Sequence, residues 1–261
     1  MTRSLHDIRY NAVDDEIIVN VSNGNAILTF RGGANGQEGP IRIIQGPSTQ
    51  ISGNGRFDID VVHRELFVGG QGAILAYPLN ANGDVAPIRV IRGSNTQNPG
   101  GSVAVDPINN LIASTGRDEG ILVFDRTANG NVAPLRVIRG ANTQIDRINQ
   151  MAIYPEGRLI VAAMPGIQSY MEPPRVFVGM WSLDDDGDYA PKWAIAGDKT
   201  TMGKTFGVAI NPEHKEIYVS DMRRHGVLTY SVPEVFVPVA APPPAARPAG
   251  GGGRGGIGDG D

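Results

Sequence analysis

The chain has 261 residues, a formal net charge of −4 at pH 7, 41% hydrophobic residues and no cysteine. Without a block of Lys or Arg there is no electrostatic footprint for nucleic acid, and without cysteine there are no disulfides or thiolate metal sites. No apolar run reaches the roughly 18 residues of a membrane span, so no such span is expected.

The start, Met1-Thr2-Arg3-Ser4-Leu5-His6-Asp7-Ile8, has no apolar h-region. As written it implies a cytoplasmic protein; loss of an upstream segment would imply a secreted or periplasmic one. From residue 6 a repeat takes over. One phrase, Pro40-Ile41-Arg42-Ile43-Ile44-Gln45-Gly46, returns as Pro87-Ile88-Arg89-Val90-Ile91-Arg92-Gly93 and Pro134-Leu135-Arg136-Val137-Ile138-Arg139-Gly140, and in weaker form as Pro191-Lys192-Trp193-Ala194-Ile195-Ala196-Gly197. The copies begin at residues 40, 87, 134 and 191, at intervals of 47, 47 and 57. Such a period marks units that bury their apolar faces only against one another.

Each unit reads as four short β segments, A to D. The A segments are 8–10, 57–61, 103–105, 151–153 and 206–210, and the B segments centre on Ile17, Leu66, Leu111, Leu159 and Ile217. The C segments are 26–30, 73–77, 121–124, 176–181 and 227–230, and the repeated phrase is D. Asp106-Pro107, Tyr154-Pro155 and Asn211-Pro212 start A–B turns. Asn35-Gly36, Asn82-Gly83, Asn129-Gly130 and Asp186-Gly187 supply tight C–D hairpins. Repeated four-stranded antiparallel sheets are the blades of a β-propeller. The expected fold is therefore all-β, with five recognisable blades at about 6–56, 57–102, 103–150, 151–205 and 206–236, alone or as part of a six-bladed ring. The propeller domain is expected over 1–237, and a disordered Pro/Gly-rich tail over 238–261.

Within the D phrase, alternation is expected to place Ile41, Ile43, Leu135 and Val137 on the buried face and Arg42, Arg89 and Arg136 outside, blunting an edge strand. In the fourth unit the B–C loop is about ten residues longer than in the others and carries Tyr170 and Arg175. The acidic run 184–188 aligns with the plain C–D turns of units two and three and lacks the closing Glu of an EF-hand. No cofactor is expected, with Ca²⁺ at that turn the one weak possibility. The fifth unit lacks the D phrase; 235–239 is the candidate replacement, limited to an edge by Pro233 and Pro238. If that segment does not pair, the open ring is expected to self-associate.

The succession Val103-Ala104-Val105-Asp106-Pro107, Asn110-Leu111-Ile112, Gly120-Ile121-Leu122-Val123-Phe124-Asp125 resembles NHL-repeat propellers. Over residues 6–236 the chain resembles bacterial proteins of that superfamily, in which the D phrase marks each blade. The resemblance implies the propeller, usually closed by six blades, but not one activity. Lactonases of the six-bladed class use a Glu on an early inner strand; no A segment here carries Glu.

Ligands enter propellers at a channel mouth lined by D–A and B–C connections. The candidate ligand-binding residues there are Arg56, Asp58, Arg147, Tyr170, Arg175, Asp221, Arg223, Arg224 and His225. No catalytic set is visible: there is no Gly-x-Ser-x-Gly elbow and no phosphate-cradling loop, and no two histidines stand at metal-ligand spacing. The sequence leans towards a non-enzymatic scaffold whose partner is an unidentified protein or small polar ligand. The alternatives are a cation-dependent lactonase or hydrolase, and a sugar-binding lectin.

Overall fold

The alternating four-segment units become antiparallel sheets arranged as propeller blades in a computed structural model describing residues 5–53, 55–116, 120–166 and 176–239. Blade 1 comprises β1 (Leu5–Asn11), β2 (Glu16–Val21), β3 (Ala26–Arg31) and β4 (Arg42–Gln45). Blade 2 comprises β5 (Phe57–Asp60), β6 (Glu65–Gly70), β7 (Ala73–Pro78) and β8 (Arg89–Arg92). Blade 3 comprises β9 (Val103–Asp106), β10 (Leu111–Thr115), β11 (Ile121–Asp125) and β12 (Arg136–Ile138). Blade 4 comprises β13 (Gln150–Tyr154), β14 (Leu159–Met164), β15 (Phe177–Ser182) and β16 (Trp193–Ala196). Blade 5 has three strands, β17 (Thr205–Asn211), β18 (Glu216–Asp221) and β19 (Gly226–Ser231). The tail expected from residue 238 lies, from 240 onward, outside the described residues, as do Tyr170 and Arg175.

The core is divided among the interfaces between blades, as a repeat protein requires. Ile18, Ile27 and Ile44 of blade 1 pack with Phe57, Leu66 and Tyr77 of blade 2. Equivalent clusters join blades 2 and 3 through Phe67, Ile91, Ile112 and Phe124, blades 3 and 4 through Ile121, Ile138, Ile160 and Trp181, and blades 4 and 5 through Val161, Met180, Ile217 and Val219. A fifth cluster, Val19, Val21, Ala26 and Leu28 with Ile17 and Phe30, belongs to blade 1 alone.

The repeated D phrase acts as a clasp between neighbouring blades. Asn82 Oδ1 of blade 2 accepts the Ile43 N–H of blade 1 at 2.9 Å; Asn129 accepts Val90 N–H and Asp186 accepts Val137 N–H, each at 2.9 Å. The following glycines, Gly83, Gly130 and Gly187, form bridges to Ile44, Ile91 and Ile138. Two positions after each turn's Asn or Asp, Asp84, Asn131 and Asp188 accept the N–H of Ser48, Asn95 and Asn142 in the preceding blade at 2.7–2.8 Å. They sit directly over Gly46, Gly93 and Gly140, whose φ angles of 137–140° suit glycine and where an added Cβ would come within 2.3 Å of them.

Two expectations need correction. In the D strands the buried residues are Ile44, Ile91 and Ile138, while Ile41, Ile43, Ile88 and Leu135 are exposed. The arginines share the faces of the buried isoleucines by simple alternation, and each finds an anion there. Arg42 reaches Glu16 and Arg89 reaches Glu65, both at 2.7 Å, and Arg136 lies 3.5 Å from Asp184. The segment 235–239 does not become a fourth strand of blade 5. Val235 and Phe236 are buried in the cluster between blades 4 and 5, Phe236 meets Tyr154 edge-on at 5.2 Å, and Val239 N–H donates to Glu156 O at 2.8 Å. Apolar burial against the A–B turn of blade 4 outcompetes an edge pairing flanked by prolines.

Candidate functional site

The A strands line the central axis, and their polar residues tie blades together. Asp7 of β1 accepts Phe57 N–H at 3.3 Å, Asp58 of β5 accepts Val105 N–H at 2.9 Å, Ser102 accepts Met151 N–H at 3.0 Å, and Gln150 accepts Val208 N–H at 2.8 Å. At the position in β17 equivalent to Asp7, Ser102 and Gln150 stands Gly207, which has no side chain to continue the series towards blade 1. Across the axis Gln150 donates to Asp7 at 2.7 Å, and Arg9 bridges Asp7 and Asp58 at 2.6 and 2.8 Å. Burial pushes the Asp7 carboxyl up against the opposing pull of Arg9 and Arg56. Arg56 is 6% exposed: its guanidinium donates to Asn149 O at 3.0 Å and to His6 O, and lies 4.5 Å over the Phe206 ring. Both Arg56 and Asp58 therefore hold the inner strands together, and their polar groups are engaged by the protein.

Arg147 is exposed beside a small recess of about 230 Å³ formed with Thr115, Gly116, Gly120 and Ile148, whose lining includes no residue of blade 5. The remaining described candidates come together in the B–C turn of blade 5. Asp221 is buried and organises that turn. Its Oδ2 accepts Gly203 N–H at 2.7 Å and Lys204 N–H at 3.0 Å, and its Oδ1 accepts Arg223 N–H and Arg224 N–H at 2.9 Å each. Burial by itself raises this carboxyl; the four backbone donors outweigh it and hold Asp221 below its ordinary range. Held this way, the turn presents Arg223, Arg224 and His225 to solvent. His225 takes φ 52° in the tight turn.

Arg223 and Arg224 form one wall of a cleft of about 800 Å³ between blades 4 and 5. Its other walls are Phe177, Ala194, Ala196 and Gly197 of blade 4, with Asp198, Thr200 and Met202 in the connection to blade 5 and Gln144 at the side. Arg224 Nε donates to Thr201 O at 2.7 Å, while the Arg223 guanidinium makes no hydrogen bond to any described residue. The cleft has a simple origin. Gly46, Gly93 and Gly140 are each covered by an Asp or Asn from the next blade, but no described residue comes within 4 Å of a Cβ at Gly197. Among the described residues blade 5 has no C–D turn to cover it.

Reading the sequence found Arg223 and Arg224 through their local charge density, but missed Phe177, Gly197, Asp198 and Met202. The signal was present: the fourth copy of the phrase ends at Gly197, and no Asn-Gly or Asp-Gly turn follows in the fifth unit. A comparison with protein-family models and with curated proteins finds no match to this chain.

Proposed function

We propose that the chain is a non-enzymatic propeller scaffold of the NHL-like bacterial type, binding a protein segment or a small polar ligand in the cleft between blades 4 and 5. The propeller fold supports a binding role in general. The observation that carries the specific reading is the cleft itself, a concave site of ligand-binding size with an apolar floor of Phe177 and Met202 and, at Arg223, a guanidinium that bonds to no described residue. Arg223 and Arg224 together favour an anionic or carboxylate-bearing group, to which guanidinium groups give two-pronged hydrogen bonds. Tyr170 and Arg175, named as candidates from the sequence, lie outside the described residues. Arg56 and Asp58 support the cleft indirectly, by fixing the inner strands.

The test is ligand-observed NMR with a panel of small carboxylates and sugars, run on the wild-type chain and on Arg223→Ala. The Arg223 guanidinium has no partner among the described residues, so the variant should melt at the wild-type temperature and lose its carboxylate binding. Sugar binding unaffected by the substitution would favour the lectin alternative. A lactone hydrolysis that needs a divalent cation and disappears in Arg223→Ala would replace the scaffold reading with the hydrolase.

A further inference from the structure

The seam between blades 5 and 1 carries four unfinished pairings, and a single extended segment would complete them all. At C-strand positions facing the next blade, Ile27, Ile74, Ile121 and Val178 are all 0–1% exposed, each paired with a D-strand residue: Ile44, Ile91, Ile138 and Ile195. The equivalent residue of β19 is Val227, paired only with Ser220 and 66% exposed. At the start of the B strand, Glu16 holds Arg42 and Glu65 holds Arg89. Glu216 occupies that position in blade 5, receives the Tyr218 hydroxyl at 2.6 Å, and has no cation partner among the described residues.

The other two pairings are offered by blade 1. Its C–D turn repeats the clasp sequence, Ala34-Asn35-Gly36, yet the Asn35 side chain accepts no donor among the described residues, whereas Asn82, Asn129 and Asp186 each accept one. Its sheet face towards blade 5 is the cluster of Val19, Val21, Ala26 and Leu28 that no other blade joins. Between the two blades lies a cleft of about 490 Å³ bordered by Ile8, Val19, Phe206, Tyr218 and Val227.

We infer that this seam is a strand-acceptor site for an extended segment of another polypeptide, with the pattern Pro-Φ-Arg-Φ-Ile in which Φ is aliphatic. The segment adds to the free edge of β19 by main-chain hydrogen bonds, the general mode of strand addition. In the register of the other blades its Arg lies opposite Thr229 and reaches Glu216, and its Ile lies opposite Val227 and covers the blade 1 cluster. The residue between them donates its N–H to Asn35. Within these 261 residues the phrases at 40, 87, 134 and 191 are already the fourth strands of blades 1–4. For the same reason a second copy of this chain has no free strand of this pattern. The inference does not depend on the cleft between blades 4 and 5.

The test uses the full chain and a fluorescently labelled peptide, Pro-Ile-Arg-Val-Ile-Arg-Gly, followed by fluorescence anisotropy. Saturable one-to-one binding is expected. Changing the peptide's first Arg to Glu should weaken it about tenfold or more, the effect of losing a charge-assisted hydrogen bond, and Glu216→Arg should reverse that preference. Asn35→Ala, at an exposed side chain without a partner among the described residues, should weaken binding several-fold without changing the circular dichroism spectrum. Equal affinity for the Arg and Glu peptides, or no binding by a folded chain, overturns the proposal. So does light scattering that shows a dimer which the peptide does not dissociate, because a second copy then occupies the seam.

Discussion

Asp221→Asn is the sharpest perturbation of the candidate site, because one carboxylate holds four backbone donors from two connections. The amide keeps the size of the side chain but turns one oxygen into an NH₂ group. Whichever oxygen is replaced, two N–H groups then face a donor: Gly203 and Lys204 on one side, or Arg223 and Arg224 on the other. Hydrogen bonds to a charged acceptor contribute roughly 1.5–3 kcal/mol each when buried. Two lost bonds in a turn that can partly rehydrate should therefore cost about 2–4 kcal/mol. Urea unfolding at pH 7 should show a lower midpoint with an unchanged slope. The pH dependence provides a second reading. Asp221 is held below its ordinary value of 3.8, so its contribution is complete above that value and is lost as pH falls through the lower folded-state value. The gap between wild type and variant should therefore narrow in strong acid. A loss below about 1 kcal/mol at pH 7, or a gap that does not narrow on acidification, would refute the view that this carboxylate builds the turn.

Arg56→Met removes the bonds to Asn149 O and His6 O and the contact with Phe206; it should lower stability by about 2–4 kcal/mol, and Arg56→Lys should restore little because an ammonium lacks the fork. Asn129→Ala should cost about 1 kcal/mol through the lost clasp on Val90, whereas Asn35→Ala should change stability by less than about 0.5 kcal/mol; thermal melts of the two variants test whether the clasp is read correctly. Equilibrium dialysis should find no Ca²⁺ site tighter than about 1 mM at the 184–188 turn. Its carboxylates already accept protein donors: Asp184 from Arg158, Asp185 from Ser182, Asp186 from Val137 and Asp188 from Asn142.

Much of the blade architecture was legible because every unit repeats the same local instructions. Asn-Gly and Asp-Gly turns fix where C returns as D, and short β-branched runs set the strands between them. The facing of the D strand was misread, since alternation alone cannot say which of two faces is covered. Arg42 shares a face with Ile44 by simple alternation, and that face can be the covered one because Glu16 lies within reach across the sheet, a contact no single-strand pattern records. The role of Arg56 was also hidden: an arginine in a connection reads as a solvent-facing ligand group, while its partners, Asn149 O, His6 O and Phe206, come from blades 4, 1 and 5. The Asp221, Arg223 and Arg224 cluster was legible as charge, but its supporting cleft was not, because the cleft follows from an element missing one blade further on.

That missing element explains both openings of the molecule, and it also separates them. In blades 2 and 3 the C–D hairpin does two jobs: its turn covers the preceding blade, and its return strand is covered by the next. Among the described residues blade 5 ends with β19 and the chain turns beneath blade 4, so Gly197 lacks its cover on one side and Asn35 its client on the other. A strand added to β19 supplies only the second function, because the turn that would cover Gly197 lies in the connection and not in the strand. Stability in a repeat array is close to a sum of neighbour terms, so an occupant of the seam stabilises blades 5 and 1 by its own binding free energy. It leaves the cleft beside Arg223 open. Saturating the seam with the peptide should accordingly raise the melting temperature while leaving carboxylate binding at Arg223 unchanged, since neither occupant touches the groups that hold the other.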